Sequence, residues 1–265
     1  MFISILIMAT MVGLYMTGLY GLATAKKDNS IVDIGWGIGF VLVAWWSYVL
    51  FADGQIQQTL TTTLVTIWGL RLSGHIYARN LGKEEDWRYK RWREEWGRWF
   101  LVRSFFQIYM LQGLLMLTVS LPVILINTYD VTINSWLLAG GLAIWVAGFT
   151  FEVLADYHLR DHIVNKRSGI LTDGVWSLSR HPNYFGEATL WWGIAVIALG
   201  VSGTLTSPIW YWLLGPVTIN VLVRYISGVP LLEKKYADNE EFQQYAKHTP
   251  IFVPWPKSSF KSSSD

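Results

Sequence analysis

Seven stretches of this chain stay apolar for about as long as a helix needs to cross a bilayer, and nothing else in it limits the fold as strongly. A hydrocarbon core about 30 Å thick takes about 20 residues of helix. The stretches lie at approximately 2–23, 35–52, 58–77, 104–126, 134–153, 188–203 and 208–228. Charged residues make up only 15% of the chain, too few to coat a soluble domain, where about a quarter is usual. The mean hydropathy is positive, +0.30. The expected fold is therefore all-α: a polytopic membrane helical bundle of about seven transmembrane helices. The first stretch has no basic residues ahead of it and reads as a retained span rather than a signal peptide.

The basic residues test this arrangement independently, because Lys and Arg accumulate in cytoplasmic loops. Lys26 and Lys27 follow the first run, eight residues from Arg79 to Arg103 follow the third, and Arg160, Lys166, Arg167 and Arg180 follow the fifth. Lys234, Lys235, Lys247, Lys257 and Lys261 follow the seventh, and the second, fourth and sixth connections hold none. Only Arg71 and Arg224 fall inside runs. This one-sidedness predicts an outside N-terminus and a cytoplasmic C-terminus, in a multi-pass membrane protein whose chemistry faces the cytoplasm. Residues 1–256 read as a single membrane-embedded domain and the Ser/Lys-rich 257–265 as a disordered tail.

Three inner-face segments carry the chemistry-bearing side chains. "HIYARNLGKEEDWRYKRWREEWGRWF" mixes charge with Trp87, Trp92, Trp96 and Trp99. It can be read as a surface helix with Trp and Arg at the headgroups, or as one whose cations also face an anionic ligand. In "FEVLADYHLRDHIVNKRSG", Glu152, Asp156 and Arg160 recur every four residues, which lines them along one helix face where the fifth run ends. Ionisable groups emerging from a span are a site hypothesis by default. In "GVWSLSRHPNYFGEATLWWG", Arg180, His181, Asn183, Tyr184 and Glu187 crowd around Pro182. A proline suits a helix start, where free N–H groups favour an anion.

Other chemistries are excluded by what is missing. Without cysteine there is no disulfide framework, thiolate metal site or Cys nucleophile. His158 and His162 share a helix face, but no HExxH accompanies them and no metal is expected. A net charge of +2 gives no reason to expect nucleic acid as a partner. GxSxG, Walker A and GxGxxG patterns are absent.

The three C-terminal segments resemble the steroid 5-alpha-reductase family, and in particular its bacterial branch. "ADYHLRDHIVNKRSG" is similar to that family's D-Y-x-L-R segment, "SRHPNYFGE" to its N-F/Y-x-G-E segment, and "LLEKKYADNEEFQQYAKHTPIFVPWP" to its cytoplasmic tail. The resemblance covers the C-terminal half in motifs and the N-terminal half in topology. It implies reduction of a carbon–carbon double bond in an enone-type or activated lipid substrate with NADPH. Asp156, Tyr157, Arg160, Asn183, Tyr184 and Glu187 would hold the cofactor, with His181 beside them. Arg and Lys suit its phosphates, and Lys166, Arg167, Arg180 and Arg71 are the candidates.

Hydride addition to an enone leaves negative charge on its oxygen, which an acid must meet while water is excluded. Steroid-reducing members use a Gln-Glu pair in the second span with a Tyr in the third. That pair is absent here, where Asp33, His75 and Tyr77 are the candidate catalytic residues. Either another acid substitutes or the substrate is not a 3-oxo-steroid. Gln107, Tyr109 and Gln112 either line an apolar cavity or bond between helices.

The alternative is an S-adenosylmethionine-dependent methyltransferase acting on a lipid or prenylated substrate. The RHPxYxG segment also resembles isoprenylcysteine carboxyl methyltransferases. Those proteins carry a Glu-Glu pair where this chain reads "LLEKKY" with Glu233 alone. A transporter is disfavoured, because no paired repeat is present and the buried basic residues lie near span ends.

Overall fold

A computed structural model describes residues 2–129, 134–202 and 211–255; the expected disordered tail, 257–265, lies outside them. The described residues form helices and connections with no strand among them. They gather into two compact units, Met1–Leu138 with Ile197–Gly215, and Ala139–Val196 with Pro216–Asp265.

The first unit opens with α1 (Phe2–Lys26), α2 (Ile31–Phe51) and α3 (Ile56–Asn80). Helices α2 and α3 touch backbone to backbone at Gly37 and Gly69. A Cβ on Gly69 would lie 2.6 Å from the Gly37 carbonyl oxygen and 2.7 Å from Val41. Ser73 Oγ then donates to the Ile34 carbonyl at 2.8 Å. Small residues permit this approach where apolar burial against lipid offers little drive for helix association.

Helix α4 (Trp87–Trp96) starts at Asp86, whose side chain accepts the Arg88 N–H. A 3₁₀ turn, a short α5 (Phe100–Arg103) and a π-helical stretch (Ser104–Met110) lead into α6 (Leu111–Val119). The expected fourth run, 104–126, breaks at Ser120, because Pro122, which has no N–H to donate, occupies the first turn of α7 (Leu121–Thr128). Leu121 to Asn127 are buried on every side, the mark of a core helix. Asn127 Nδ2 donates to Ser47 Oγ at 2.9 Å and to Thr62 Oγ1 at 3.3 Å, tying α7 to α2 and α3.

Among the described residues, six helices are long and apolar enough to cross a membrane: Phe2–Lys26, Ile31–Phe51, Trp87–Val119, Ser135–Val164, Pro182–Val201 and Tyr211–Lys235. A multi-pass membrane protein in contact with lipid would have such helices. The third of the seven expected stretches forms α3, which has the length at 25 residues but not the apolarity. Gln57, Gln58 and a run of threonines lower it, although Thr63 and Thr66 turn their hydroxyls back onto the carbonyls of Thr59 and Thr62.

The second unit is built on α8 (Ser135–Val164) and α9 (Pro182–Ser202), with α10 (Tyr211–Val221), a π-helical stretch (Leu222–Ile226), α11 (Val229–Lys235) and α12 (Glu240–His248). Glycines two turns apart on each of α8 and α9 form a seam. A Cβ on Gly193 would meet Gly141 O at 2.7 Å, one on Gly148 would meet Gly186 O at 2.7 Å, and one on Gly186 would meet Glu152 N at 2.6 Å. The pairing of early α8 with late α9 makes the two antiparallel. At 1.5 Å per residue α8 runs about 45 Å, so its last turns clear a hydrocarbon core about 30 Å thick.

Candidate functional site

The seam brings the polar half of α8 against the start of α9. One turn past Gly148 stands Glu152 and one turn further Asp156, both buried. Across from them, Asn183 Nδ2 donates to Asp156 Oδ1 at 3.4 Å, and Glu187 is buried one turn along α9. Asn183 Oδ1 has no partner of its own although it is buried. Such an atom costs free energy unless something donates to it. The cluster is thus rich in acceptors, as a ligand bearing hydroxyl or amide N–H groups requires.

The RHP segment is held from the other side by the tail. Arg180 N–H donates to Pro250 O at 2.9 Å, Trp255 N–H to Leu178 O at 2.9 Å, and Ser179 Oγ to Phe252 O at 2.7 Å. The Tyr245 hydroxyl on α12 reaches Trp176 O and Ser179 O, and burial pushes its pKa up. The guanidinium of Arg180 meets Glu233 Oε2 at 3.0 Å and the Ala246 carbonyl at 3.0 Å. His181 Nε2 donates to Glu233 Oε1 at 2.7 Å, and its ring stacks on Tyr184. Beside this knot lies a cavity of about 530 Å³, walled by Phe185, Trp192, Tyr225 and Phe252 with Thr189, Asn220 and Arg224 in its polar lining.

Burial, opposed by Glu233, holds His181 below its ordinary value of 6.5. The neutral ring, protonated on Nε2, satisfies the contact with Glu233. As pH falls below about 6.5 the unfolded chain takes up a proton that the folded one resists, so stability is lost on acidification towards the folded value. Thermal midpoints of the detergent-purified protein should therefore drop between pH 7.5 and pH 5. A His181→Gln variant should show a shallower drop, and equal slopes would remove His181 as the cause.

The structure distributes the remaining sequence candidates unevenly. Tyr157 is 63% exposed, and Arg160 is exposed as well, past the end of the seam that buries Asp156. Lys166 and Arg167 are exposed beyond the end of α8, where Arg167 pairs with Asp161 at 2.7 Å. Arg71, with Asp33, His75 and Tyr77, belongs to the first unit and not to the second. Both oxygens of Asp33 are engaged, one by Arg88 and one by the Tyr89 hydroxyl, each at 2.7 Å. That is the pattern of an ionised carboxylate anchoring α4, and an acid role would need one contact released. Tyr77 is 55% exposed and His75 and Arg71 are half-buried on α3. Tyr109 donates to Asn29 Oδ1 at 3.0 Å, an interhelical bond, whereas Gln107 is exposed.

His158 packs on Gly174, and His162 Nε2 lies 3.1 Å from Gly169 O. No group of three or more metal-ligating side chains is assembled among the described residues. Sequence reasoning did not place Tyr245 and Arg224 in this site, and it gave Glu233 a role only in the methyltransferase reading. Each stands far along the chain from the RHP segment; Arg224 is marked only as a lone charge in an apolar stretch and Glu233 as an acid before two lysines, and nothing in its polar stretch marks Tyr245.

No solved structure matches the chain. An uncharacterized protein of Schizosaccharomyces pombe is 25% identical over 229 residues, covering 74% of this chain and 65% of that protein. The chain thus spans less than two thirds of that relative's length. The family described as a protein of unknown function, DUF1295, matches residues 19–249. That match takes in most of both units and the cluster from Glu152 to Tyr245, stopping short of Pro250, Phe252 and Trp255, and the chain belongs to the DUF1295 family.

Proposed function

We propose that the protein is a membrane-embedded, NADPH-dependent reductase of a carbon–carbon double bond in an enone-type or activated lipid. The observation that carries this reading is the acceptor cluster between α8 and α9: buried Glu152, Asp156 and Glu187 around Asn183, with Asn183 Oδ1 unmatched. Ribose hydroxyls and a nicotinamide carboxamide are donors of the kind Asn183 Oδ1 lacks. Asp156, Asn183 and Glu187 would hold these groups. The exposed cations Arg160, near the end of α8, and Lys166 and Arg167 beyond it would take the phosphates. Arg180 is bound to Glu233 and serves instead to lock the RHP segment. The bound cofactor would supply the hydride. The aromatic side chains of the cavity that Arg224 helps to line would take a flat apolar substrate. Seven spans, with α3 as the third despite its threonines, would place the N-terminus outside and this site at the cytoplasmic face of a bacterial inner membrane.

A methyltransferase remains the second reading for a specific reason. The RHP segment and Glu233 meet directly, and a carboxylate-rich cluster would also suit a sulfonium cation. Equilibrium binding of NADPH and of S-adenosylmethionine to the purified protein separates the two. NADPH is expected to bind, and Asn183→Ala and Glu187→Ala should each weaken it about tenfold, the loss of one good hydrogen bond to a charged or buried group. Unchanged NADPH affinity in both variants would remove the site assignment, and binding of S-adenosylmethionine alone would replace the reductase with a methyltransferase.

A further inference from the structure

A second cavity, of about 440 Å³, lies wholly within the first unit and has no part in the proposed cofactor site. It opens between the last turns of α1 and the stretch from Arg93 to Ser104. Its charged lining is Lys27, Arg93 and Arg98, with no carboxylate among the lining residues. Glu85 meets Arg93 at 2.8 Å, so Lys27 and Arg98 leave the cavity net positive.

Two buried groups in the lining lack partners, Asn29 Nδ2 and Ser104 Oγ. Asn29 is 3% exposed and Ser104 1%. The Tyr109 hydroxyl donates to Asn29 Oδ1 at 3.0 Å, which consumes the acceptor of that amide and leaves its N–H₂ as the free group. Every unmatched group here is therefore able to donate, and every lining charge is positive. Only an anion satisfies both.

The surroundings specify what carries the anion. Leu101 lines the cavity, and close to it in the chain Val102 and Trp99 are exposed apolar side chains. Stacked Trp92 and Trp96 stand on the same segment, and such aromatic and basic stretches settle at the headgroup level of a bilayer. We propose that this cavity binds the phosphate of an anionic phospholipid. Lys27, Arg98, Asn29 and Ser104 would hold the phosphate, and the acyl chains would lie along Leu101 and Val102.

The test is native mass spectrometry of the full-length, detergent-purified protein with phosphatidylglycerol and phosphatidylcholine of matched acyl chains. Phosphatidylglycerol should bind in preference, and Arg98→Gln and Ser104→Ala should each weaken it about tenfold, as removal of a charge-assisted hydrogen bond does. Lys83→Gln, an exposed cation outside the cavity, should leave it unchanged. Arg98 is exposed, so its variant keeps the fold, and thermal midpoints of all three variants check this. Equal binding of the two lipids, or wild-type binding by both cavity variants, would overturn the proposal. So would displacement of phosphatidylglycerol by inorganic phosphate or by NADPH, since the occupant would then be a soluble anion. None of these results depends on whether the second unit binds NADPH.

Discussion

Replacing Gly186 with leucine is expected to be among the most damaging single changes in the chain. An added Cβ would lie 2.6 Å from both the Glu152 nitrogen and the Gly148 carbonyl oxygen, and backbone atoms cannot swing aside as a side chain can. Overpacking usually costs about 1–3 kcal/mol, and a collision with backbone on a helix seam belongs at or above the top of that range. The thermal midpoint of the purified protein should fall by roughly 6–12 °C, taking about 2–4 °C per kcal/mol for a chain of this size. Because the same seam sets Asp156 against Asn183, the NADPH binding proposed above should fail with it. Gly140→Leu, on the same helix, is the control: an added Cβ meets nothing within 4 Å there, and losing a helical glycine is mildly favourable. If Gly186→Leu melts with the wild type, the close approach of α8 and α9 is wrong.

Glu233→Ala should come next in size. Glu233 neutralises Arg180, whose side chain is 11% exposed, and accepts from His181 at 4%. Removing one member of a buried ion pair typically costs about 3–5 kcal/mol, because the other charge stays buried and unpaired. Glu233 is itself 23% exposed, so water offsets part of this and about 2–3 kcal/mol is the expected loss. The expected midpoint shift is roughly 4–12 °C. Glu233→Gln retains an acceptor for His181 and should recover part of it. If the alanine variant is as stable as the wild type, Arg180 reaches water and the RHP segment is not locked by α11.

Much of the architecture was legible because lipid imposes length. A stretch such as Phe2–Lys26 has to be helical from end to end, and its apolar residues say so without help from partners. α3 shows the limit of that logic, since Thr63 and Thr66 count as polar in the sequence yet hide their hydroxyls on the carbonyls of their own helix. The break at Ser120 was signalled by Pro122, but an apolar run reads the same whether it crosses lipid or, like α7, lies inside protein.

The candidate site was legible where it is local. Asp156, Asn183 and Glu187 lie in two short segments whose four-residue spacings put them on buried faces. The same spacing misleads for Arg160, which shares the stripe with Asp156 but lies past the end of the seam and is exposed. Partners drawn from distant segments left no mark in spacing. Arg88 and Tyr89 meet Asp33 from more than fifty residues away, and Tyr245 meets Trp176 across 69. Such pairings follow from how helices are assembled, which a hydropathy pattern does not encode.

The π-helical stretch at Leu222–Ile226 carries Arg224 and Tyr225 into the lining of the larger cavity. A π turn holds about one more residue than an α turn, and each α-helical residue advances about 100° around the axis. Deleting one residue here would let the helix relax to α geometry with its length and apolarity nearly intact, while turning that pair away from the cavity. Evolution can thus silence this site in a lineage by a single lost codon, with every motif residue still in place.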